Sequence, residues 1–321
     1  MASLRRKSKI RPKHFTRSHI DAEIAGHWAS EAARFKIDPA PEYGVRDLIE
    51  GIRAECEDDS DLLEPWLSIV ELGIYHLAGL SLSMSNQRAK IWHLPGALIG
   101  TACAHAIALR NAMVQGHDSP ARVLLRTCSD ALSLAALVMF DKDLDSGYRS
   151  VGTPDEAKVF WQRRLGYRRL DESLQKLENA IGLPKDMRAS LKDAREYFLK
   201  LHSGYVHAAP IPSLLTYNVP SLRDRGLIRV GLFGHVSIAS LQTADHFVQI
   251  LWYHSWLLLK TMFSKGVGCY PLYKWRAKNM FDQVAWVSYH AFHTVALAHW
   301  DDFDLWDPER SPRRKPTKVR R

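Results

Sequence analysis

The sequence predicts an all-α chain: a multi-helix bundle, with one short β-hairpin near 226–236 as the exception. Three observations carry this. Apolar residues recur at the i, i+3, i+4, i+7 spacing of a helix face along most of the chain. Capping signals stand where these stripes begin, as in Thr153-Pro154-Asp155-Glu156. Only Leu227 to Phe233 alternates like a strand, with Ile228, Val230 and Leu232 on one side. Composition agrees with a folded chain: of 321 residues, 46% are apolar and 25% charged, which excludes general disorder. Four Cys exclude a disulfide scaffold. They are far apart and form no C-x-x-C pair.

In order, the first stripe runs from Leu62 to Leu80 through Trp66, Val70 and Leu77. Pro95 to Met113 is a second, Ala-rich helix. Ser119-Pro120 is expected to cap a third that ends near Asp141, since Ser satisfies a free N–H and Pro suits the first turn. The capping box at Thr153 opens a long charged helix to about Ala180, with Gly182 as its stop. Pro184 starts a helix that reaches His202–His207. Pro210, Pro212 and Pro220 mark a loop, and a long helix returns from Ser237 to Phe263. Lys265 to Tyr273 reads as a turn and Lys274 to Ala298 as the last helix. The expected organisation is a helical domain over 18–210 and a helical extension over 211–307 packed on it, between basic tails at 1–17 and 308–321.

The formal net charge is +9, and it sits in the tails. Residues 1–17 and 310–321 hold 14 of the 44 Lys and Arg and no acidic side chain, so the body between them carries a net charge of −5. Such blocks are expected to stay solvated and to attract polyanions, nucleic acid or acidic lipid. The basic N-terminal stretch is followed by Ser18, His19, Asp21 and Glu23 and not by an apolar segment, so no signal peptide is expected. The apolar windows at 94–109 and 247–263 are shorter than a bilayer requires and are interrupted by His105, His254 and Lys260. No membrane span and a cytoplasmic location are therefore expected.

No phosphate-cradling G-x-x-x-x-G-K-[ST] and no G-x-S-x-G nucleophile turn is present. His290 and His293 share a helix face near His299, Asp301 and Asp302, but packing beside Trp286 and Trp300 is the expectation, with no metal and no cofactor. The segment from His299 to Asp307 interleaves acids and aromatics and is expected to wrap back over the core. Arg163, Arg164 and Arg168, with Phe160, Trp161 and Tyr167 among them, form a candidate nucleic-acid face in which rings stack on bases.

One pair has a coherent chemistry. Arg195 and His202 are seven residues apart on a predicted helix, hence on one face about 10.5 Å apart. Neutral imidazole can take a proton from an RNA 2′-OH, and guanidinium can hold the scissile phosphate. His207 and Tyr205 follow where this helix ends. The R-x4–6-H spacing occurs four times, as Arg88/His93, Arg110/His117, Arg195/His202 and Arg229/His235. Helical context selects Arg195/His202, with Arg110/His117 as the alternative pair.

The motif Arg195-Glu-Tyr-Phe-Leu-Lys-Leu-His202 resembles the signature of the HEPN superfamily of small helical domains, many of them metal-independent ribonucleases. Ala121 through Arg126 to Asp130, and Tyr197 through Ser203 to His207, are similar to uncharacterised bacterial helical proteins related to it. The resemblance covers about 95–210. It implies a metal-independent endoribonuclease of toxin or defence type, assembled as a homodimer. Arg195 would bind phosphate, His202 or His207 would act as base, and Arg126 and Asp130 would form a supporting pair. The rival expectation is a non-catalytic helical adaptor that binds a protein partner through aromatic surfaces and nucleic acid through its tails.

Overall fold

The computed structural model describes residue 34 and residues 63–206, 218–220, 228–230, 234, 236–276 and 278–299. The chain divides into two compact units, Met1–Cys56 and Glu57–Arg321, and every described element lies in the second. Both basic tails, His207 and the acidic–aromatic segment beyond His299 lie outside the described residues.

The fold is an all-α bundle. Among the described residues the α-helices are α1 (Glu64–Ser85), α2 (His93–Val114), α3 (Asp118–Phe140), α4 (Lys142–Arg149), α5 (Pro154–Phe160), α6 (Tyr167–Ala180), α7 (Lys185–Val206), α8 (Ile238–Phe263) and α9 (Met280–Ala298). A 3-10 turn at Lys90–Trp92 leads into α2. Strands β1 (Asn218–Pro220) and β2 (Ile228–Val230) form an antiparallel hairpin, with Val219 opposite Arg229. Thus the hairpin begins earlier than 226. Its first arm comes from the proline-rich loop, and a two-stranded ribbon tolerates Pro220 because both of its strands are edges.

Local chemistry accounts for most helix ends. Thr153 and Glu156 form the expected reciprocal capping box at α5. Ser237 and Ser240 form another at α8, and the Asn279 side chain accepts hydrogen bonds from the backbone N–H groups of Phe281 and Asp282 at α9. Gly182 ends the α6 region with φ +84°, where a side chain would strain the backbone. Two expectations are corrected. Ser119 lies inside α3, which begins at Asp118, and Ser237 instead donates to the Asp118 carboxylate. The long charged helix from 153 to 180 is broken: α5 runs into a π turn at Trp161–Leu165, and Gly166 leaves the helical region with ψ 140° before α6 begins.

Helix α3 is the hub. It packs against α2 along its length and also touches α8, α7 and α6, while α1 packs between α2 and α9. Buried Leu125, Leu132, Leu137, Phe247, Leu251 and Phe292 centre the core. Close approach sets the α1–α9 crossing: a Cβ on Gly79 would lie 2.8 Å from the backbone nitrogen of Ala285.

The expectation that nothing here can span a membrane is overturned. Three segments, Glu64–Ser85, Lys90–Val114 and Asp118–Phe140, are long and apolar enough to cross one. Their apolar character is spread over the whole helix and not gathered in one uninterrupted run. Glu71, Arg110, Arg126 and Asp130 interrupt the runs but are too few to change the character of helices of 22 to 25 residues.

Alanine at position 79 should gain up to about 1 kcal/mol of intrinsic helix propensity. Backbone cannot move aside as a side chain can, so overpacking should dominate, and Gly79→Ala should destabilise the protein by about 1–3 kcal/mol. Urea denaturation measures the sign. A stabilised variant would show that the two helices separate freely.

Candidate functional site

Four helices enclose a half-open cavity of about 160 Å³. Each contributes one stripe. From α3 come Arg126, Ser129, Asp130 and Ser133; from α7 come Leu191, Arg195, Phe198 and His202. Both sets follow the i, i+3/i+4, i+7 rule, which brings them to one side of each helix. Leu170, Asp171 and Leu174 of α6 and Gln249, Tyr253 and His254 of α8 close the remaining walls. Most of the lining is apolar.

Arg195 is held from three directions. Its Nε donates to Asp171 at 2.8 Å, its Nη1 donates to Glu178, and Nη1 also reaches the Tyr253 hydroxyl at 3.2 Å. Tyr253 in turn donates to Glu178 at 2.7 Å. Burial opposes the guanidinium's charge, but Tyr253, Glu178 and Asp171 outweigh it and raise its affinity for the proton. The Glu178 carboxyl shifts upward as well: its own burial outweighs the pull of Arg195. On α3, Arg126 donates to both oxygens of Asp130 at 3.1 and 3.0 Å and to Ser203 at 3.4 Å. Both arginines that line the cavity are therefore paired inside the protein.

His202 is 1% exposed, and neither ring nitrogen has a hydrogen-bond partner. Its ring stacks on Phe198 at 6.2 Å and meets His246 edge-on at 5.5 Å. Burial first, then the charges of Arg122 and Arg126, push its pKa down to about 3. His254 is different. Its Nδ1 is 2.8 Å from the Ile250 carbonyl, so that nitrogen donates, and Nε2 accepts from the Ser133 hydroxyl at 2.9 Å. Burial lowers its pKa to about 4. Both rings are neutral at ordinary pH.

The structure brings Arg126, Asp130, Arg195 and His202 to one cavity. Tyr205 is buried beside it, under the Arg122 guanidinium at 4.7 Å, and does not line it. Arg110 faces elsewhere and is paired with Glu71 at 2.7 Å, while His117 lies in the α2–α3 turn. Arg163 and Arg164 are exposed on the π turn and Arg168 bonds Glu172, so Gly166 separates residues expected on one continuous helix. No group of three His, Cys, Asp or Glu side chains is placed to hold a metal among the described residues. His293 is instead buried against Trp252 and Tyr289. The sequence reading missed Asp171, Glu178, Tyr253, Ser133 and His254. Asp171 and Glu178 carried a usable signal, being seven residues apart and so on one helix face. Compared with family models, curated proteins and solved structures, the chain matches none.

Two outcomes follow from this electrostatics. Arg195→Ala should cost about 3–5 kcal/mol, because it strands buried carboxylates, and adding Glu178→Gln should recover part of the loss. Urea unfolding of the single and double variants measures both. The second outcome is acid lability. An unfolded histidine binds its proton near 6.5, whereas folded His202 does so only near pH 3. Between those values the unfolded state holds the extra proton, so stability falls as pH falls through that window. His202→Phe should flatten the curve of stability against pH there by up to about 1.4 kcal/mol per pH unit. Melting curves from pH 7 to 4 would read it.

Proposed function

We propose that the four-helix cavity binds a small, mostly apolar molecule carrying one hydrogen-bonding group, and that His202 recognises that group. One observation carries the reading: His202 lines an apolar cavity with both ring nitrogens unpartnered, beside arginines already paired with carboxylates. Ligand sites combine apolar walls with a few convergent polar groups in this way. A neutral imidazole offers one donor and one acceptor, which suits a phenol or a cyclic amide. The volume of about 160 Å³ suits a single ring, since an apolar cavity of about 150 Å³ holds benzene.

A second reading is metal-independent RNA cleavage by a HEPN-like domain. It is favoured by the placement of Arg126, Arg195 and His202 on one cavity. This reading requires Asp171 and Glu178 to release Arg195 for phosphate, and the proton affinity of His202 to rise toward the working pH.

One set of variants separates the two readings. On the ligand reading, a panel of phenols and lactams at millimolar concentration contains members that raise the melting temperature of the wild type. His202→Phe should abolish that shift while remaining folded. No shift across the panel would overturn it. On the RNA reading, wild-type protein in EDTA cuts total bacterial RNA and leaves 2′,3′-cyclic phosphate ends, and Arg195→Ala and His202→Ala each abolish cutting. Intact RNA would remove that reading.

A further inference from the structure

A second cavity, of about 400 Å³, lies between α8 and α9 on a different set of residues. Trp256, Leu259, Lys260 and Phe263 share one face of α8, and Trp286 and Tyr289 project from α9. Trp275, on the segment between these helices, meets Trp286 at 5.4 Å between ring centroids. Its lining is thus aromatic and aliphatic apart from a single lysine. On the same helix as Trp286 and Tyr289, Met280 is 63% exposed and Val287 67%.

The sequence that carries this groove is basic up to the Arg276–Asp282 ion pair at the start of α9. Between Asp245 and Asp282 the sequence contains no acidic residue. Exposed Lys260, Lys265, Lys274 and Lys278 fall within that stretch. The neighbouring helices expose large apolar side chains as well. Helix α1, packed against both α9 and α2, exposes Tyr75 and Leu82, and α2 exposes Ile107 and Val114. The α2 segment is one of the three long enough to cross a membrane, and only 39% of its apolar window is buried inside the protein.

We propose that the α8–α9 groove docks an anionic phospholipid at a bilayer surface, with the aromatic walls taking the upper acyl chain and Lys260 and Lys274 facing the phosphate. Each part has its physical reason. Trp and Tyr prefer the headgroup level, where one side is apolar and the other wet. Lysines bury their stems along apolar surface and keep the ammonium at the polar boundary. Clustered basic residues without acids are drawn to anionic leaflets. The 14 basic residues of the two tails add a longer-range attraction of the same sign.

The test uses the full chain with vesicles of phosphatidylcholine alone and of phosphatidylcholine with 30% phosphatidylglycerol. The wild type should co-sediment at least tenfold better with the anionic vesicles, and salt should weaken this binding. Lys260→Glu/Lys274→Glu and, separately, Trp286→Ser/Val287→Ser should each lower it at least fivefold with helical circular dichroism unchanged. Lipids brominated near the headgroup should quench wild-type tryptophan fluorescence, and Trp286→Phe should lose part of that quenching, a readout that needs no disruptive substitution. Groove variants that bind like the wild type would overturn the proposal, since the tails alone would then suffice. So would a dimer in sedimentation equilibrium that dissociates in Trp286→Ser/Val287→Ser, because a second copy would then be the occupant.

Discussion

The Arg195 ion-pair network is what the candidate site depends on. One guanidinium on α7 joins Asp171 and Glu178 of α6 and Tyr253 of α8, so three helices share one buried charge cluster. Buried ions are costly unless paired and hydrogen-bonded, and here each partner closes part of the circuit. The network sets the spacing of three cavity walls. It also decides what the cavity can attract, because a guanidinium held between two carboxylates offers little net positive charge to an incoming anion.

With that charge withdrawn, the remaining polar groups of the cavity divide by whether they are already bonded. Ser133 and His254 satisfy each other, and the other His254 nitrogen is spent on its own helix. Arg126 is spent on Asp130 and Ser203. His202 stands apart, desolvated by Phe198 and His246 and with no bond to either nitrogen. A buried polar group left unmade is a standing cost, which a ligand supplying the bond would remove. That asymmetry, and not the presence of arginine and histidine as such, favours recognition of a small molecule over chemistry on a polyanion.

The two faces of the bundle differ in kind. The π turn and α6 are highly charged, with Arg163 and Arg164 exposed on the turn and Arg168 and Arg169 on the helix. The α1, α2 and α9 side exposes Tyr75, Leu82, Ile107, Val287 and Leu297 and carries the Glu71–Arg110 pair and, at the start of α9, the Arg276–Asp282 pair. The aromatic groove between α8 and α9, with a single lysine in its lining, is the feature on which the proposed contact with an anionic bilayer surface rests.

Much of the fold was legible because it is local. The period of the apolar residues, the capping box at Thr153, the helix start at Ser237 and the stop at Gly182 are decided within a few residues of themselves, and the sequence alone determined an all-α chain with most of its helix order. Arg195 and His202 could be named because helical spacing and context put them on one face, and Arg126 and Asp130 because the resemblance to helical proteins related to the HEPN superfamily pointed to them. Their chemical state could not be read in the same way. Whether Arg195 meets a phosphate or a carboxylate depends on Asp171, 24 residues away in sequence, and on Tyr253, 58 away. The proton affinity of His202 depends on burial among residues of α3 and α8. The break at Gly166 and the membrane-length helices were missed for a related reason: each reflects a balance over a whole segment, not a motif. Helix identity is a short-range property of the chain, and tertiary structure alone decides which charges are cancelled, because desolvation and pairing belong to the neighbours a side chain acquires on folding.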